Sequence, residues 1–282
     1  MKKVKIAERE VFPIGLGTAN LGDRADNFDQ EVESIRSGLD RGVQVIDTAE
    51  SYGEGNSEIL VAHVIKLYKR ENLFLVSKVL PNNASKKQIP ISLDNSLKRL
   101  KTDYLDLYLL HWKGSVQIEE TIEAMEQAKM QGKIKAWGVS NFDVNDMKNL
   151  LKLPNGHHCA TNQVRYNLGD RGIDYDLVPM MKENSMPVMA YAPVARGDRL
   201  GADLTKQKVL LDISKKYNAD VFQILLAWCI RNGQTIAIPQ SSNLEHVINN
   251  VKAAHIQLIE EDLVKIDSVY PEPSVSEPLA LW

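Results

Sequence analysis

The chain has 282 residues, of which 44% are hydrophobic and 25% are charged, and its formal net charge is −3 at pH 7. This length allows one large domain or two average ones, and the composition is that of a globular protein with a large buried core. Because the charge is weak and both signs are well mixed, the sequence argues against nucleic acid or an anionic membrane as a partner.

The N-terminus carries the basic run Met1–Lys5, and no apolar stretch follows Ile6. We therefore expect no secretion signal, no transmembrane helix and a cytoplasmic location. The two cysteines, Cys159 and Cys229, lack the spacing of a metal or redox motif. Two reduced, buried thiols are expected.

In chain order, the segment Lys3–Phe12 comes first and is predicted to form a small hairpin that caps the bottom of the fold. Short β-branched or aliphatic runs then alternate with amphipathic segments. The predicted strands are Ile14–Thr18, Gln44–Thr48, Leu73–Lys78, Leu105–His111, Ala136–Ser140, Ala160–Val164, Val188–Tyr191 and Thr235–Pro239. The apolar stripes that predict helices are Leu60, Val64 and Leu67; Ile118, Ile122 and Met125; and Met147, Leu150 and Leu151. The final residues, Val269–Trp282, are rich in proline and are predicted to lie on the surface as a tail.

Eight repeats of a strand followed by a helix predict a parallel sheet with right-handed crossovers. In a chain of 282 residues they fit a closed (β/α)8 TIM barrel, a single domain spanning residues 1–282, better than an open sheet. A Rossmann domain is disfavoured, because Gly15-Leu16-Gly17 lacks the third glycine of the dinucleotide fingerprint and no helix opens on it.

Polar residues stand at the ends of the predicted strands, where a barrel places its chemistry. They are Asp47, Tyr52 in the loop beyond it, Lys78, His111, Ser140, Asn141, Gln163 and Tyr191. Each also has an ordinary structural interpretation: a helix cap or turn aspartate, a tyrosine packed at the rim, a solvated lysine, a satisfied core histidine. Their occurrence at successive strand ends favours an enzyme.

Four of these residues suit one reaction, the protonation of a carbonyl oxygen while hydride arrives at its carbon. A free tyrosine, with a pKa of about 10, is a poor acid, and we expect the Lys78 ammonium to lower the pKa of Tyr52. Asp47 is expected to keep Lys78 charged and in place. His111 is expected to donate a hydrogen bond to the substrate oxygen.

At these residues the chain resembles the aldo-keto reductases. The resemblance is carried, in the order of the family, by residues 47–53 (DTAESYG), 75–78 (LVSK), 103–112 (DYLDLYLLHW) and 132–142 (GKIKAWGVSNF). It extends from about Phe12 to about Asn250 and is closest to short prokaryotic members. It implies a (β/α)8 barrel that reduces aldehydes and ketones with NADPH, and a monomer.

The resemblance also implies a cofactor site. Ser140, Asn141 and Gln163 would hold the nicotinamide carboxamide, and Tyr191 would stack on the nicotinamide ring. The loop that begins Ala192-Pro193 and continues to Arg196-Gly197 would run near the pyrophosphate. Thr18, at the end of the first predicted strand, belongs to the same expected set.

After the last strand, Gln240 and His246 stand where family members commonly carry a lysine and an arginine that meet the 2′-phosphate of NADPH. Each lost charge-assisted bond is worth about 1.5–3 kcal/mol, so NADPH is expected first and use of NADH stays open. Ser241, Asn243 and the amides of the helix that follows are candidates for the phosphate, and Asn249 or Asn250 for the adenine. Ser242-x-x-Glu245 also has the pattern of a capping box.

The substrate pocket is expected among Asn20, Trp112, Phe142 and the tail Leu279–Trp282. The short Lys113-Gly114 loop predicts an open site for small aldehydes and ketoaldehydes. The alternative is a dinucleotide-binding regulatory subunit, like the channel-associated β subunits of the family, which usually carry an extra N-terminal segment that is not expected here. A barrel isomerase or hydrolase has no support from a metal-ligand cluster or a nucleophile–base motif.

Overall fold

The computed structural model describes residues 3–195 and 204–281. An N-terminal hairpin consists of β1 (Val4–Ile6) and β2 (Arg9–Val11), paired antiparallel. Its apolar residues are buried in the same core cluster as residues of the barrel interior. The hairpin predicted over Lys3–Phe12 is therefore confirmed.

Eight parallel strands follow, each hydrogen-bonded to the next one along the chain. The strands are β3 (Leu16–Gly17), β4 (Val45–Asp47), β5 (Phe74–Val79), β6 (Leu105–Leu110), β7 (Ile134–Ser140), β8 (Cys159–Arg165), β9 (Val188–Tyr191) and β10 (Thr235–Ala237). This confirms the predicted barrel and all eight predicted strands. The first and last strands are shorter than predicted, because the outer residues Ile14 and Gln240 pair only through isolated bridges.

The sheet closes on itself between its first and last strands. Gly15 N–H donates to the Ala237 carbonyl at 2.7 Å, and Ala237 N–H donates to the Pro13 carbonyl at 2.9 Å. A Cβ atom on Gly17 would stand 2.9 Å from the Ile238 carbonyl oxygen. A glycine at position 17 therefore allows the two strands to approach closely enough to close the barrel.

The helices follow the strands along the chain and cover the outside of the sheet. They are α1 (Phe28–Leu39), α2 (Asn56–Ile65), α3 (Gln88–Leu100), α4 (Ile118–Met130), α5 (Val144–Leu151), α6 (Leu177–Glu183), α7 (Lys208–Lys216), α8 (Val221–Cys229), α9 (Leu244–Ala253) and α10 (Glu260–Asp267). The predicted stripes pack inward, except that Leu67 is 56% exposed. Its assignment to the stripe was wrong, because α2 ends at Ile65.

Successive side chains along each strand point to opposite faces of the sheet, and this divides the core into two layers. On β5, Phe74 and Val76 face the barrel interior, whereas Leu75 and Val79 pack against the helices. Both cysteines are free and buried. None of the described helices has the length and apolar character that crossing a membrane requires.

Residues 269–281 contain no helix or strand and lie on the surface as a tail. Two arginines hold it: Arg171 donates to the Tyr270 carbonyl at 2.6 Å, and Arg165 donates to the Leu281 carbonyl at 3.1 Å. The predicted surface tail is confirmed over its described residues, and Trp282 lies outside them.

Candidate active site

Lys78 is the centre of a buried cluster at the carboxyl end of the barrel. It follows Phe74 and Val76 at alternate positions of β5, so its side chain points into the barrel, where it is fully buried. Its ammonium donates to Asp47 Oδ2 at 2.7 Å, to the Thr48 carbonyl at 2.9 Å and to the Tyr52 hydroxyl at 3.0 Å. All three N–H bonds of the ammonium therefore have an acceptor.

Asp47, the last residue of β4, is held on both of its carboxylate oxygens. Lys78 occupies Oδ2, and Gln163 Nε2, from β8, donates to Oδ1 at 2.7 Å. The Asp47 backbone carbonyl accepts from the Thr18 hydroxyl at 3.0 Å. Asp47 thus connects strands from three parts of the barrel, and its carboxylate is fixed relative to Lys78.

Tyr52 begins a short 3-10 turn, Tyr52–Gly55, in the loop after β4. Gly53 and Glu54 both have positive φ there, and this tight reversal turns the Tyr52 phenol back over the barrel. The Tyr52 and His111 rings lie edge to face, with their centroids 5.7 Å apart. The phenol is placed between an ammonium and an imidazole.

Burial and the neighbouring Lys78 ammonium act in opposite directions on the pKa of Tyr52. Burial raises the pKa of the Tyr52 phenol, and the opposing effect of the Lys78 ammonium is smaller, so the net pKa lies above the usual value. The predicted effect of Lys78, to lower the pKa of Tyr52, is present, but desolvation outweighs the attraction of the cation. Burial acts to lower the pKa of Lys78, but Asp47 and Tyr52 together raise it above its usual value, so Lys78 stays charged, as predicted.

His111 follows β6 and is largely buried. Burial, and to a smaller extent the charge of Lys78, lower the pKa of its imidazole to about 3. The ring is therefore neutral near pH 7 and has one N–H and one bare nitrogen. Its Nδ1 lies 3.4 Å from the Ser51 hydroxyl, and its ring centroid lies 4.7 Å from that of Trp112, which is 43% exposed.

A cavity of about 630 Å³ opens above this cluster. Most of the predicted site residues line it: Thr18, Asn20, Asp47, Tyr52, His111, Trp112, Ser140, Asn141, Gln163, Tyr191, Ala192, Pro193 and Gln240. Lys78 lies beneath its floor. Val194 and Ala195 of the predicted pyrophosphate loop also line it, as do four residues that were not predicted as site residues: Gly17, Ala19, Ile238 and Pro239.

Ser140, Asn141 and Tyr191 form one wall of this cavity. Asn141 has positive φ (59°), and its Nδ2 donates to the His111 carbonyl and to Ser140 Oγ, each at 3.1 Å. The Tyr191 hydroxyl donates to Asn141 Oδ1 at 2.9 Å. The amide of Asn141 is thus engaged by protein on both sides, whereas Gln163 has only its Nε2 engaged, by Asp47, within the described residues.

At the other end of the cavity, Asn20 and Gln240 reach across from the first and last strands. Asn20 Nδ2 donates to Gln240 Oε1 at 3.3 Å, and both side chains are exposed. Beyond them, the α9 N-terminus is capped by Asn243, whose Oδ1 accepts from the amides of Glu245 and His246. The predicted capping box at Ser242-x-x-Glu245 was wrong, because the N-cap is one residue later in the chain.

Several predicted residues lie outside the lining of the cavity. Ser241, Asn243, His246, Asn249 and Asn250 lie at the start of α9 or on it, and Asn249 contacts Asp220 at 3.4 Å. The prediction of Phe142 in the pocket was wrong, because its side chain is 2% exposed and packs in the core. Leu279 packs against the core, and the rest of the tail as far as Leu281 lies outside the cavity lining. Arg196-Gly197 and Trp282 fall outside the described residues.

Two contributors to the cluster were not found from the sequence. The Thr48 carbonyl gave no signal, because every residue has one. Ser51 stands beside Tyr52, but its neighbour His111 comes 60 residues later. Among residues 3–195 and 204–281, no three His, Cys, Asp or Glu side chains are grouped as metal ligands.

Comparison with known proteins places this site in a family. The profile of the Aldo/keto reductase family matches residues 13–271. The protein named methylglyoxal reductase YeaE of Escherichia coli (strain K12) is 45% identical over 260 residues, which cover 92% of this chain and 91% of the relative. The glyoxal reductase of Bacillus subtilis (strain 168) is 32% identical, over 89% of this chain and 88% of the relative.

The whole fold also superposes on a solved structure. An aldo/keto reductase from Klebsiella pneumoniae, crystallised in complex with NADP and acetate, has a TM-score of 0.97 and 44% identity. The match covers 100% of this chain and 99% of that one. With the profile match over residues 13–271 and these full-length likenesses, the chain belongs to the aldo/keto reductase family.

Proposed function

We propose that the protein reduces small aldehydes and ketones, including dicarbonyls of the methylglyoxal type, with NADPH, and that Tyr52 is the proton donor. The observation that carries this proposal is the 3.0 Å contact between the Tyr52 hydroxyl and the buried Lys78 ammonium, on the floor of an open cavity. Neutral His111 stands beside them.

The roles of these side chains follow from their charges. A protonated Tyr52 is the form that gives a proton to a carbonyl oxygen, and its raised pKa keeps it protonated near pH 7. When the proton leaves, the phenolate lies 3.0 Å from a cation that Asp47 holds in place. His111 is too weak a base to carry charge there, and it acts as a neutral hydrogen-bond donor to the carbonyl oxygen.

The wall of the cavity fits the nicotinamide end of a dinucleotide, which when bound supplies the hydride. Gln163 has its Nε2 fixed on Asp47, so its Oε1 is available to accept from a carboxamide N–H, and the Ser140 hydroxyl lies in the same wall. Tyr191, whose hydroxyl is anchored on Asn141, offers a flat ring to stack against. Thr18, Ala192 and Pro193 would line the path toward the pyrophosphate.

NADPH is proposed over NADH because the Klebsiella structures that match this chain are complexes with NADP and with NADPH. Gln240, at the far end of the cavity, and His246, beyond it on α9, would meet the adenosine phosphate without a lysine or arginine at either position. The chain is therefore expected to discriminate against NADH less strongly than members with cations there.

The substrate class is supported by two relatives, whose names state that they reduce methylglyoxal and glyoxal. Trp112 and Asn20 line the cavity mouth and would contact the substrate. We further propose a cytoplasmic monomer, in keeping with two free, buried cysteines. Size-exclusion chromatography with cofactor tests the monomer, since a stable tetramer without turnover would instead favour a regulatory subunit.

The replacement of Tyr52 by Phe tests the proposed reaction. The variant is expected to lose turnover by about 10²–10⁴-fold, because the proton donor is removed, and to retain NADPH binding. Turnover is followed as NADPH and NADH oxidation with aldehydes, ketones and dicarbonyls, and binding by fluorescence titration. Reduction of aldehydes by Tyr52→Phe at the wild-type rate would show that another group donates the proton.

A further inference from the structure

The His111 imidazole has one described hydrogen-bonding neighbour, the Ser51 hydroxyl, 3.4 Å from Nδ1. The other contacts of the ring are with aromatic side chains, Tyr52 at 5.7 Å and Trp112 at 4.7 Å between centroids. These rings limit the tilt of the imidazole, but they leave the position of its proton undetermined. Among the described residues, only Ser51 is placed to determine it.

The position of that proton decides what the ring offers to the cavity. A neutral imidazole carries hydrogen on one nitrogen and a lone pair on the other. The described residues give Nε2 no partner, yet it is not among the sealed, unsatisfied side-chain atoms, which are Arg36 Nε, Thr48 Oγ1, Tyr108 OH and Trp228 Nε1. Nε2 is therefore accessible from the cavity that His111 lines.

The chemistry of the pair favours one direction for the Ser51–His111 bond. A serine hydroxyl can donate or accept, but a bare imidazole nitrogen is far more basic than an alcohol oxygen. The stronger arrangement is therefore the hydroxyl donating to bare Nδ1, which leaves the ring hydrogen on Nε2. In the opposite tautomer, a lone pair on Nε2 would face the cavity.

We propose that Ser51 is a positioning residue that holds His111 in the tautomer protonated on Nε2, so that the ring presents a donor to a carbonyl oxygen. The inference rests on the proposed function, because it takes a carbonyl oxygen as the group that the ring meets. Such an oxygen only accepts hydrogen bonds, so a lone pair on Nε2 would repel it and a proton there attracts it. Ser51 acts through His111 and does not itself touch the substrate.

Nitrogen-15 NMR of protein labelled at histidine tests the tautomer directly. The chain has six histidines, and the His111 signals are assigned by their disappearance in His111→Gln. In the wild type, Nδ1 should resonate as a bare ring nitrogen and Nε2 as a protonated one. Ser51→Ala should give a mixture of tautomers, Ser51→Thr should restore the wild-type pattern, and Ser268→Ala, an exposed serine on the far helix end, should leave it unchanged.

Kinetics provide the second readout. Ser51→Ala is expected to lower kcat/KM for a small aldehyde by about three- to tenfold, the effect of one neutral hydrogen bond, without changing the Kd for NADPH. Ser51→Thr should recover most of that loss. A wild-type ring protonated on Nδ1, or a Ser51→Ala variant with unchanged tautomer and unchanged kcat/KM, would overturn the inference.

The two proposals fail separately. The tautomer is measured in the resting protein, so it does not depend on which group donates the proton. Wild-type turnover in Tyr52→Phe would contradict the proposed function and leave the NMR result standing. An inactive Tyr52→Phe together with an unaffected Ser51→Ala would contradict only the role of Ser51.

Discussion

Lys78 is a buried cation whose stability depends on its neighbours. Its ammonium donates to Asp47, to the Thr48 carbonyl and to Tyr52, and no part of the side chain reaches solvent. An ammonium without these acceptors would lose several kcal/mol of solvation with nothing to replace it. The same contacts that place Tyr52 for chemistry therefore also make the protein sensitive to the loss of either charge.

Replacement of Asp47 by Ala is expected to lower the free energy of unfolding by about 3–5 kcal/mol, because it leaves the Lys78 ammonium buried and unpaired. The double variant Asp47→Ala/Lys78→Met removes that unpaired charge and should recover part of the loss. Urea unfolding at pH 7 measures both. A double variant no more stable than Asp47→Ala would argue against the unpaired charge as the cause.

The depressed pKa of His111 predicts an acid sensitivity. In the folded protein His111 has a pKa of about 3, against an ordinary value of 6.5. Below pH 6.5 the imidazole therefore binds a proton in the unfolded chain but not in the folded protein. Stability therefore falls as the pH falls through this window. Between pH 7 and pH 4.5, the wild type should lose about 2–3 kcal/mol more than His111→Gln. Equal losses in thermal or urea unfolding would contradict the assigned pKa.

The residues that carry charge or a ring at a strand end were predictable from the sequence, because alternation along a strand fixes which side chains point inward. Lys78 and Asp47 are found this way. The net pKa of Tyr52 could not be predicted from the sequence, because the balance between burial and the Lys78 charge depends on a cavity that no local sequence pattern describes. The contact between Ser51 and His111 joins two loops that are 60 residues apart, and the sequence of neither loop indicates it.

At the scale of secondary structure, the long apolar strands β5 and β6 were predicted to within one residue at each end, and the predicted bounds of β9 are those observed. The ends of elements were predicted less well. The start of α9 shows why: Ser242, Asn243 and Glu245 all suit a helix N-terminus, and only the path of the chain after Pro239 decides which of them becomes the cap.

Substitutions at the start of α9 separate the two possible caps. Asn243→Ala should lower the free energy of unfolding by about 1 kcal/mol, because the amides of Glu245 and His246 lose their acceptor. Ser242→Ala is the matched control and should change stability by no more than a few tenths of a kcal/mol. Urea unfolding compares them, and a reversed order of the two effects would restore the capping box at Ser242.

In the whole molecule, one end of the barrel carries the candidate active site and the other end carries contacts that stabilise the fold. The carboxyl end holds the cavity, while the amino end is closed by the hairpin. Asp106 joins the hairpin to the barrel there: it accepts from Arg9 at 2.9 Å and from the Leu75 amide at 2.9 Å, and it forms an ion pair with Arg70 at 2.8 Å. Stability and chemistry can therefore be changed separately.

Asp106→Ala is expected to destabilise the protein by about 2–4 kcal/mol, because two guanidinium groups lose their partner carboxylate and one buried amide loses its acceptor. The substitution lies at the opposite end of the barrel from the cavity, so kcat/KM of the folded fraction should stay at the wild-type value. Thermal unfolding and steady-state kinetics at 25 °C test both halves of this expectation. A large loss of kcat/KM without loss of stability would mean that the two ends are coupled.

The contact between Asn20 and Gln240 joins residues separated by 220 positions in the sequence. Asp47, Tyr52, Lys78 and His111 all lie in the first part of the chain, whereas Tyr191 and Gln240 leave the ribosome late. A partly synthesised chain can therefore contain every group that would move the proton before it has the cavity wall that Tyr191 and Gln240 complete. Acquisition of activity during translation should accordingly wait for the final strand.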